Sequence, residues 1–243
     1  MKQSYIKLIA LLLVVSFILS GCMFPSNELA KNQVPNDMQL ETVQTSIETY
    51  QEQMDGLLPI KTKDADTPIF EKYVVDFDLL KEMQVLAEVP GNAFENGGSY
   101  QYVIIHAEED PQVKLIDLKS VDELRQLYIQ IDTYRSKNLY PPFGEKIADD
   151  LFTIDYEKLK MDNHPTVTSP YTNENLPVII DSEGNIYIDY RIDLARELED
   201  LDHSYEQGDD IRYLLADNHP FVPVYSLPYT INENEEPDFL LKE

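Results

Sequence analysis

The chain has one cysteine, Cys22, no tryptophan, eight glycines, and 19 lysines and arginines against 45 aspartates and glutamates. Each shortage closes off a chemistry. A lone thiol forms no disulfide within the chain and no zinc–thiolate site. With so few glycines, loops in which backbone N–H groups cradle a phosphate are hard to build, and neither the phosphate-loop nor the dinucleotide fingerprint occurs. The Gly-x-Ser-x-Gly elbow and the His-Glu-x-x-His helix are missing too, which lowers the expectation of an enzyme and leaves no catalytic residue to name. A net charge of −26 argues against nucleic acid, because the densest basic stretches, around Arg125, Arg135, Lys158 and Lys160, are interleaved with acids. It equally disfavours direct adhesion to anionic lipid.

One apolar run is present, at the start. Lys2 and Lys7 form a positive flank, and Leu8 to Leu19 a twelve-residue apolar stretch. At about 1.5 Å per residue it covers roughly 18 Å, short of the roughly 30 Å hydrocarbon core, so a cleaved signal is expected rather than a span. Leu19-Ser20-Gly21-Cys22 resembles the lipobox of bacterial lipoproteins. That resemblance implies a diacylglyceryl group, carrying palmitate-like chains, on the Cys22 sulfur, cleavage after Gly21, and residence on the extracytoplasmic face of the cell membrane. Residues 1–21 carry two lysines and no acid, so cleavage leaves the chain more acidic still. Met23 to Asn36, with Pro25, Pro35 and three asparagines, reads as a flexible tether.

Beyond the tether, Leu40, Val43, Ile47, Tyr50, Met54 and Leu57 recur at spacings of three and four, which predicts an amphipathic helix. Phe70 to Phe77 reads as a strand. Tyr100 to His106 and Val113 to Leu118 flank Glu108-Glu109-Asp110-Pro111 as a hairpin. Ser120 with Glu123 then forms a capping box for a helix with the stripe Val121, Leu124, Leu127, Tyr128, Ile131 and Tyr134. A second ββα run follows: Pro177 to Asp181 and Ile186 to Tyr190 around Ser182-Glu183-Gly184-Asn185, then Leu194, Leu198, Leu201 and Tyr205. The expected fold class is α+β: two related ββα modules with an N-terminal amphipathic helix, after a cleaved signal peptide and flexible tether. The expected divisions are 1–21 signal peptide, 22–36 lipidated tether, 37–98 N-terminal helix and strand region, 99–177 first module with an insertion, and 178–243 second module with an acidic tail.

Asp162-Asn163-His164-Pro165, Pro170-Tyr171-Thr172 and Asn173-Glu174-Asn175 recur in order as Asp217-Asn218-His219-Pro220, Pro228-Tyr229-Thr230 and Asn232-Glu233-Asn234. Three ordered blocks predict a duplication, with Tyr134 to Phe152 as an insertion in the first copy. Asp162, His164, Asp217 and His219 are the candidate ligand residues, since oxygen and imidazole ligands suit a divalent metal. A repeated helix stop explains the same residues mechanically, with asparagine in the left-handed conformation and proline beyond it, so no metal and no cofactor is assigned. Asp181, Glu183 and Asn185 lack the glycine spacing of a calcium loop and read as a turn, and Asn232 to Asp238 as a solvated acidic tail. Sixteen tyrosines and fifteen prolines either furnish recognition loops, at Tyr140-Pro141-Pro142-Phe143, Pro170-Tyr171 and Pro228-Tyr229, or fill gaps in the core.

The run from Tyr140 to Arg191, including PPFGEK, IDYEKL, SPYT and LPVIIDSEGNIYIDYRIDL, is similar to uncharacterised lipoproteins of spore-forming Gram-positive bacteria. This implies a location and no activity. The expectation is a membrane-anchored extracytoplasmic lipoprotein that binds an envelope protein partner. A solute- or metal-binding lipoprotein for transport would need a cleft between the halves. An extracytoplasmic hydrolase would need His106, His164, His203 and His219, or several carboxylates, gathered in a pocket.

Overall fold

Eighteen residues from Asn36 to Gln53 form helix α1, which buries Val43, Ile47 and Tyr50 on the expected stripe, while Leu57 lies past its end and is exposed. The structure is a computed structural model that describes residues 36–161 and 165–241. Cys22, the expected signal peptide and nearly all of the expected tether lie outside the described residues, as do Asp162 and His164. From Asn36 onward the chain forms one contact unit of mixed helix and sheet, an α+β fold.

Phe70 to Phe77 is not a strand. Pro68 starts a one-turn helix, α2 (Ile69–Lys72); Val74 and Val75 make single bridges to Val103 and Ile60; and Asp76 caps α3 (Phe77–Glu82) by accepting from the N–H groups of Asp78 and Leu79. A short apolar run is buried equally well either way, so periodicity could not tell the two apart.

Strands β1 (Tyr100–Ile105) and β2 (Gln112–Asp117) form an antiparallel pair, with Tyr100 opposite Asp117 and Ile105 opposite Gln112. Helix α4 (Leu118–Asn138) follows at once. Its cap is Asp117, which accepts from the Lys119 N–H, and not Ser120, which is buried inside the first turn. Leu124, Leu127 and Ile131 face inward, whereas Tyr128 is half exposed. The expected insertion is structured as a hairpin, β3 (Phe143–Ala148) and β4 (Leu151–Ile154). Strand β4 pairs with β7 (Val178–Asp181), which pairs with β8 (Ile186–Ile188), giving a four-stranded antiparallel sheet in the order β3-β4-β7-β8. Gly184, at φ +92°, closes the β7–β8 turn. Helices α5 (Arg191–Asp200) and α6 (Tyr213–Asn218) follow.

Both ββα runs therefore form, but in sheets of different size. The repeated tails also differ in local structure. Pro170-Tyr171-Thr172 lies in the turn between β5 (Val167–Thr168) and β6 (Asn175–Leu176), whereas Tyr229 and Thr230 lie within β9 (Tyr229–Ile231). Asn232 to Asp238 is not a solvated tail: the Asn232 side chain accepts from the N–H groups of Asn234 and Glu236, and β10 (Pro237–Phe239) pairs with β9. Phe239 is buried and packs on Tyr229, ring centroids 5.3 Å apart.

Apolar residues gather in three clusters. Val43, Ile47, Phe77, Tyr102, Ile104 and Leu115 form the first. Ile131, Ile180, Leu194, Leu215 and Tyr229 belong to the second, which includes the inner residues of the four-stranded sheet. The third, with Phe70, Val103, Ile105, Ala216 and Val222, combines residues from both halves. Strand β1 alternates between the first and the third, so β1 and β2 share a core with α1, and no division of the core falls at the expected boundary after residue 98. Gly98 is required here, because a Cβ on it would stand 2.0 Å from the Asn92 backbone.

One buried carboxylate fastens the β5–β6 turn to α5. Asp193 is fully buried; its Oδ1 accepts from the Ser169 and Thr172 hydroxyls at 2.8 and 2.7 Å, and its Oδ2 has no hydrogen-bond partner. Burial raises its pKa, against the lowering by the two hydroxyls. A raised pKa means that the folded state holds the proton more tightly than the unfolded chain, so stability falls as pH rises from the unfolded pKa through the folded one. Asp193→Asn keeps an acceptor for both hydroxyls and carries no charge. It is expected to melt no lower than the parent at pH 7 and to lose that acid-side dependence, as calorimetry between pH 3.5 and 7 would read. A variant that melts well below the parent at pH 7 would show that the charged form is needed.

Candidate functional site

Helix α6 ends where the repeated tetrapeptide Asp217-Asn218-His219-Pro220 begins to turn away. Pro220 disfavours helical geometry in the residue before it, and His219 is extended, at φ −128° and ψ 161°. Asn218 stays helical and donates through Nδ2 to the Leu214 carbonyl, so the stop rests on proline and not on a left-handed asparagine. The chain then runs along β2: the Leu115 N–H donates to the Pro220 carbonyl and the Val222 N–H to the Leu115 carbonyl. Lys114, 8% exposed, donates through Nζ to the carbonyls of Asp217 at 3.1 Å and His219 at 2.9 Å. These are carbonyls that a helix end leaves unpaired. Burial lowers the Lys114 pKa, and the Asp217 carboxylate works in the opposite direction.

The two expected ligand residues on this segment take separate partners. Asp217 Oδ1 is 2.7 Å from His106 Nε2, and the His106 ring stacks on Tyr213 with centroids 4.8 Å apart. His219 Nε2 is 2.8 Å from Glu197 Oε1, and its ring meets the edge of Tyr171. His106 sits at φ +50°, a costly conformation for a residue with a Cβ. Beside it lies a concavity of about 410 Å³ lined by Ile69, Tyr73, His106, Glu108, Glu109 and Tyr213. A carboxylate that orients an imidazole is the arrangement of a positioned base. Among the described residues no three of His, Cys, Asp or Glu are grouped to hold a metal ion. His203 lies apart from both pairs, against Tyr205. Sequence reasoning missed His106, Lys114, Glu197 and Tyr213 as neighbours of the tetrapeptide, and no local pattern announces them.

The other candidates resolve into structural roles. Asp181 accepts from the Asn185 N–H and amide and from the Tyr187 hydroxyl, so its oxygens belong to the hairpin turn. Tyr190 and Tyr229 are buried and Tyr171 packs edge-on against Tyr190, which assigns two of the proline–tyrosine loops to the core; Tyr140 is half exposed.

A longer groove lies elsewhere, over the start of α4. One concavity of about 400 Å³ is lined by Phe94, Gln101, Leu118, Lys119, Val121 and Arg125, among others. A second, of about 140 Å³, shares Gln101, Leu118 and Val121 with it and adds Lys63, Glu71 and Tyr225. A third, of about 110 Å³, shares Glu71 and Tyr225 with the second and ends at Tyr187 and Arg212. The three adjoin one another at those shared side chains.

No curated protein and no solved structure matches the chain. Residues 36–117, from the first residue of α1 to the aspartate that caps α4 and about a third of the chain, match the YphF family N-terminal domain.

Proposed function

We propose that the chain is a membrane-anchored lipoprotein on the extracytoplasmic face, held by a lipid on Cys22 and acting as a binding or interaction module toward an envelope protein. The observation that carries this reading is Leu19-Ser20-Gly21-Cys22 at the end of the apolar run, with the first described helix beginning at Asn36, fourteen residues later. That spacing spans about 45 to 50 Å when extended, enough to lift the folded part clear of the headgroups. Among the described residues no helix is long and apolar enough to cross a membrane, which leaves the attachment to the lipid. The adjoining concavities over the start of α4 support the interaction role, since a binding surface needs a concave, partly apolar face. The two halves meet through the apolar cluster of Phe70, Val103, Ala216 and Val222, which disfavours a transport protein with a solute cleft between them. Mass spectrometry of the mature N-terminus tests the anchor. Protein extracted from membranes should begin at Cys22 and carry a diacylglyceryl mass, and an unmodified cysteine or a start elsewhere would refute it.

A further inference from the structure

We propose that the groove from Phe94 to Tyr225 docks an extended, acidic polypeptide segment that carries apolar side chains, a proposal that rests on the reading of this protein as an interaction module. The first argument is charge. The chain carries −26 overall, with 45 acids against 19 bases, yet in the groove lining Lys63, Lys119 and Arg125 outnumber Glu71 and Asp122, while Arg212 at the far end is buried and paired with Asp210. Lys63 and Lys119 are exposed, and Arg125, paired with Asp122 at 3.0 Å, still has a side chain 72% exposed. Such a local reversal within an acidic surface steers an acidic ligand to one place and repels it elsewhere.

The second argument is apolar. Phe94 is 62% exposed at one end and Tyr225 is 36% exposed at the other, with half-buried Leu118 and Val121 between them. Exposed aromatic rings in a concave lining are the usual anchors of a protein interface. Tyr225 is held at φ +51° by its own backbone contacts: its N–H donates to Glu71 and its carbonyl accepts from the Ile188 N–H. Burial raises the Glu71 pKa, against the lowering by the Tyr225 N–H and by Lys63.

The shape of the lining selects among anionic partners. A flat anionic membrane brings the whole acidic surface against it, whereas a narrow chain meets only the groove. A second copy of this chain is disfavoured by repulsion between two strongly acidic bodies. An extended segment alternating acids with apolar residues satisfies both the cations and the rings.

The test uses the full lipidated chain in phosphatidylcholine nanodiscs and three fluorescent peptides: Glu alternating with Leu and Phe, the same peptide with Lys for Glu, and polyglutamate. The alternating acidic peptide is expected to bind saturably and to weaken as salt rises, with polyglutamate weaker and the lysine peptide absent. The double variant Lys119→Glu with Arg125→Glu, both exposed, should lose at least tenfold in affinity, and Phe94→Ser should also bind more weakly. Lys146→Glu, exposed on β3, should bind as the parent does. Equal binding of the acidic and lysine peptides, or unchanged affinity in the double variant, overturns the proposal. So does self-association, or binding to anionic vesicles, that the double variant abolishes. If peptide binding fails while the protein still carries its lipid at Cys22, the groove's occupant is wrong and the anchored lipoprotein stands.

Discussion

Replacing Cys22 with alanine is expected to remove all incorporation of labelled palmitate and to move the mature protein from the membrane pellet to the soluble fraction. On the proposed anchor, two acyl chains would bury on the order of 30 methylenes at about 0.8 kcal/mol each, so roughly 20 kcal/mol of membrane affinity would depend on one sulfur atom. Among the described residues no helix is long and apolar enough to cross a membrane, and an acidic surface is repelled by anionic headgroups. Detergent-phase partitioning, with the mass of each species recorded, checks it, because an uncleaved precursor that keeps its apolar run is heavier than the mature chain. Mature-sized Cys22→Ala protein in the detergent phase would refute the lipid anchor.

The second large effect concerns the fold. Tyr229 is fully buried, and its hydroxyl accepts from the Tyr190 N–H at 3.1 Å while donating to the Ile188 carbonyl at 3.2 Å. It thereby joins the end of β8 to the residue that opens α5. Tyr229→Phe keeps the ring and removes both bonds. Leaving a buried polar group unpaired costs about 1 to 3 kcal/mol, so the loss is roughly 2 to 6 kcal/mol, a large share of the usual 5 to 15 kcal/mol of a domain. Tyr229→Ala adds the cavity left by the ring, and bulky aromatic truncations cost about 3 to 5 kcal/mol by themselves. Urea unfolding followed by circular dichroism reads both. Tyr128→Phe, on the half-exposed face of α4, is the control and should stay within about 0.5 kcal/mol of the parent. A Tyr229→Phe variant equally close to the parent would show that water or a shifted backbone replaces the lost hydroxyl.

Much of the secondary structure was legible because its signals are local. The spacing of Val43, Ile47 and Tyr50 identifies the buried face of α1, and Ser182 to Asn185 identifies the β7–β8 turn from glycine alone. Errors arose where two local solutions bury the same residues. Phe70, Val74, Val75 and Phe77 are buried as readily by short helices and bridges as by a strand. Asp117 and Ser120 can both cap a helix, and the one that ends β2 took the role. The repeated tails show the limit of sequence similarity: shared residues lie in a turn in one copy and in a strand in the other, because their partners differ.

The candidate sites were far less legible. Pro220 announces the end of α6, but His106 and Lys114, which hold Asp217 and the loop carbonyls, come from more than 100 positions earlier. The groove draws on Lys63, Phe94, Arg125 and Tyr225, from four separate stretches of chain.

By itself, the sequence determined the properties that depend on residue type and near neighbours: the lone thiol after an apolar run, the strongly acidic balance, the exclusion of a disulfide within the chain, and the periodic faces of α1 and the two ββα runs. The tertiary structure decided which distant residues meet. It packed β1 and β2 against α1, gave Asp217 and His219 separate partners, drew two proline–tyrosine loops inward, and placed scattered cations and aromatic residues around adjoining concavities. The physical reason is range. Helical and strand periodicity and capping act over a few residues, whereas burial of apolar surface selects among pairings of distant segments, and only that selection places side chains side by side.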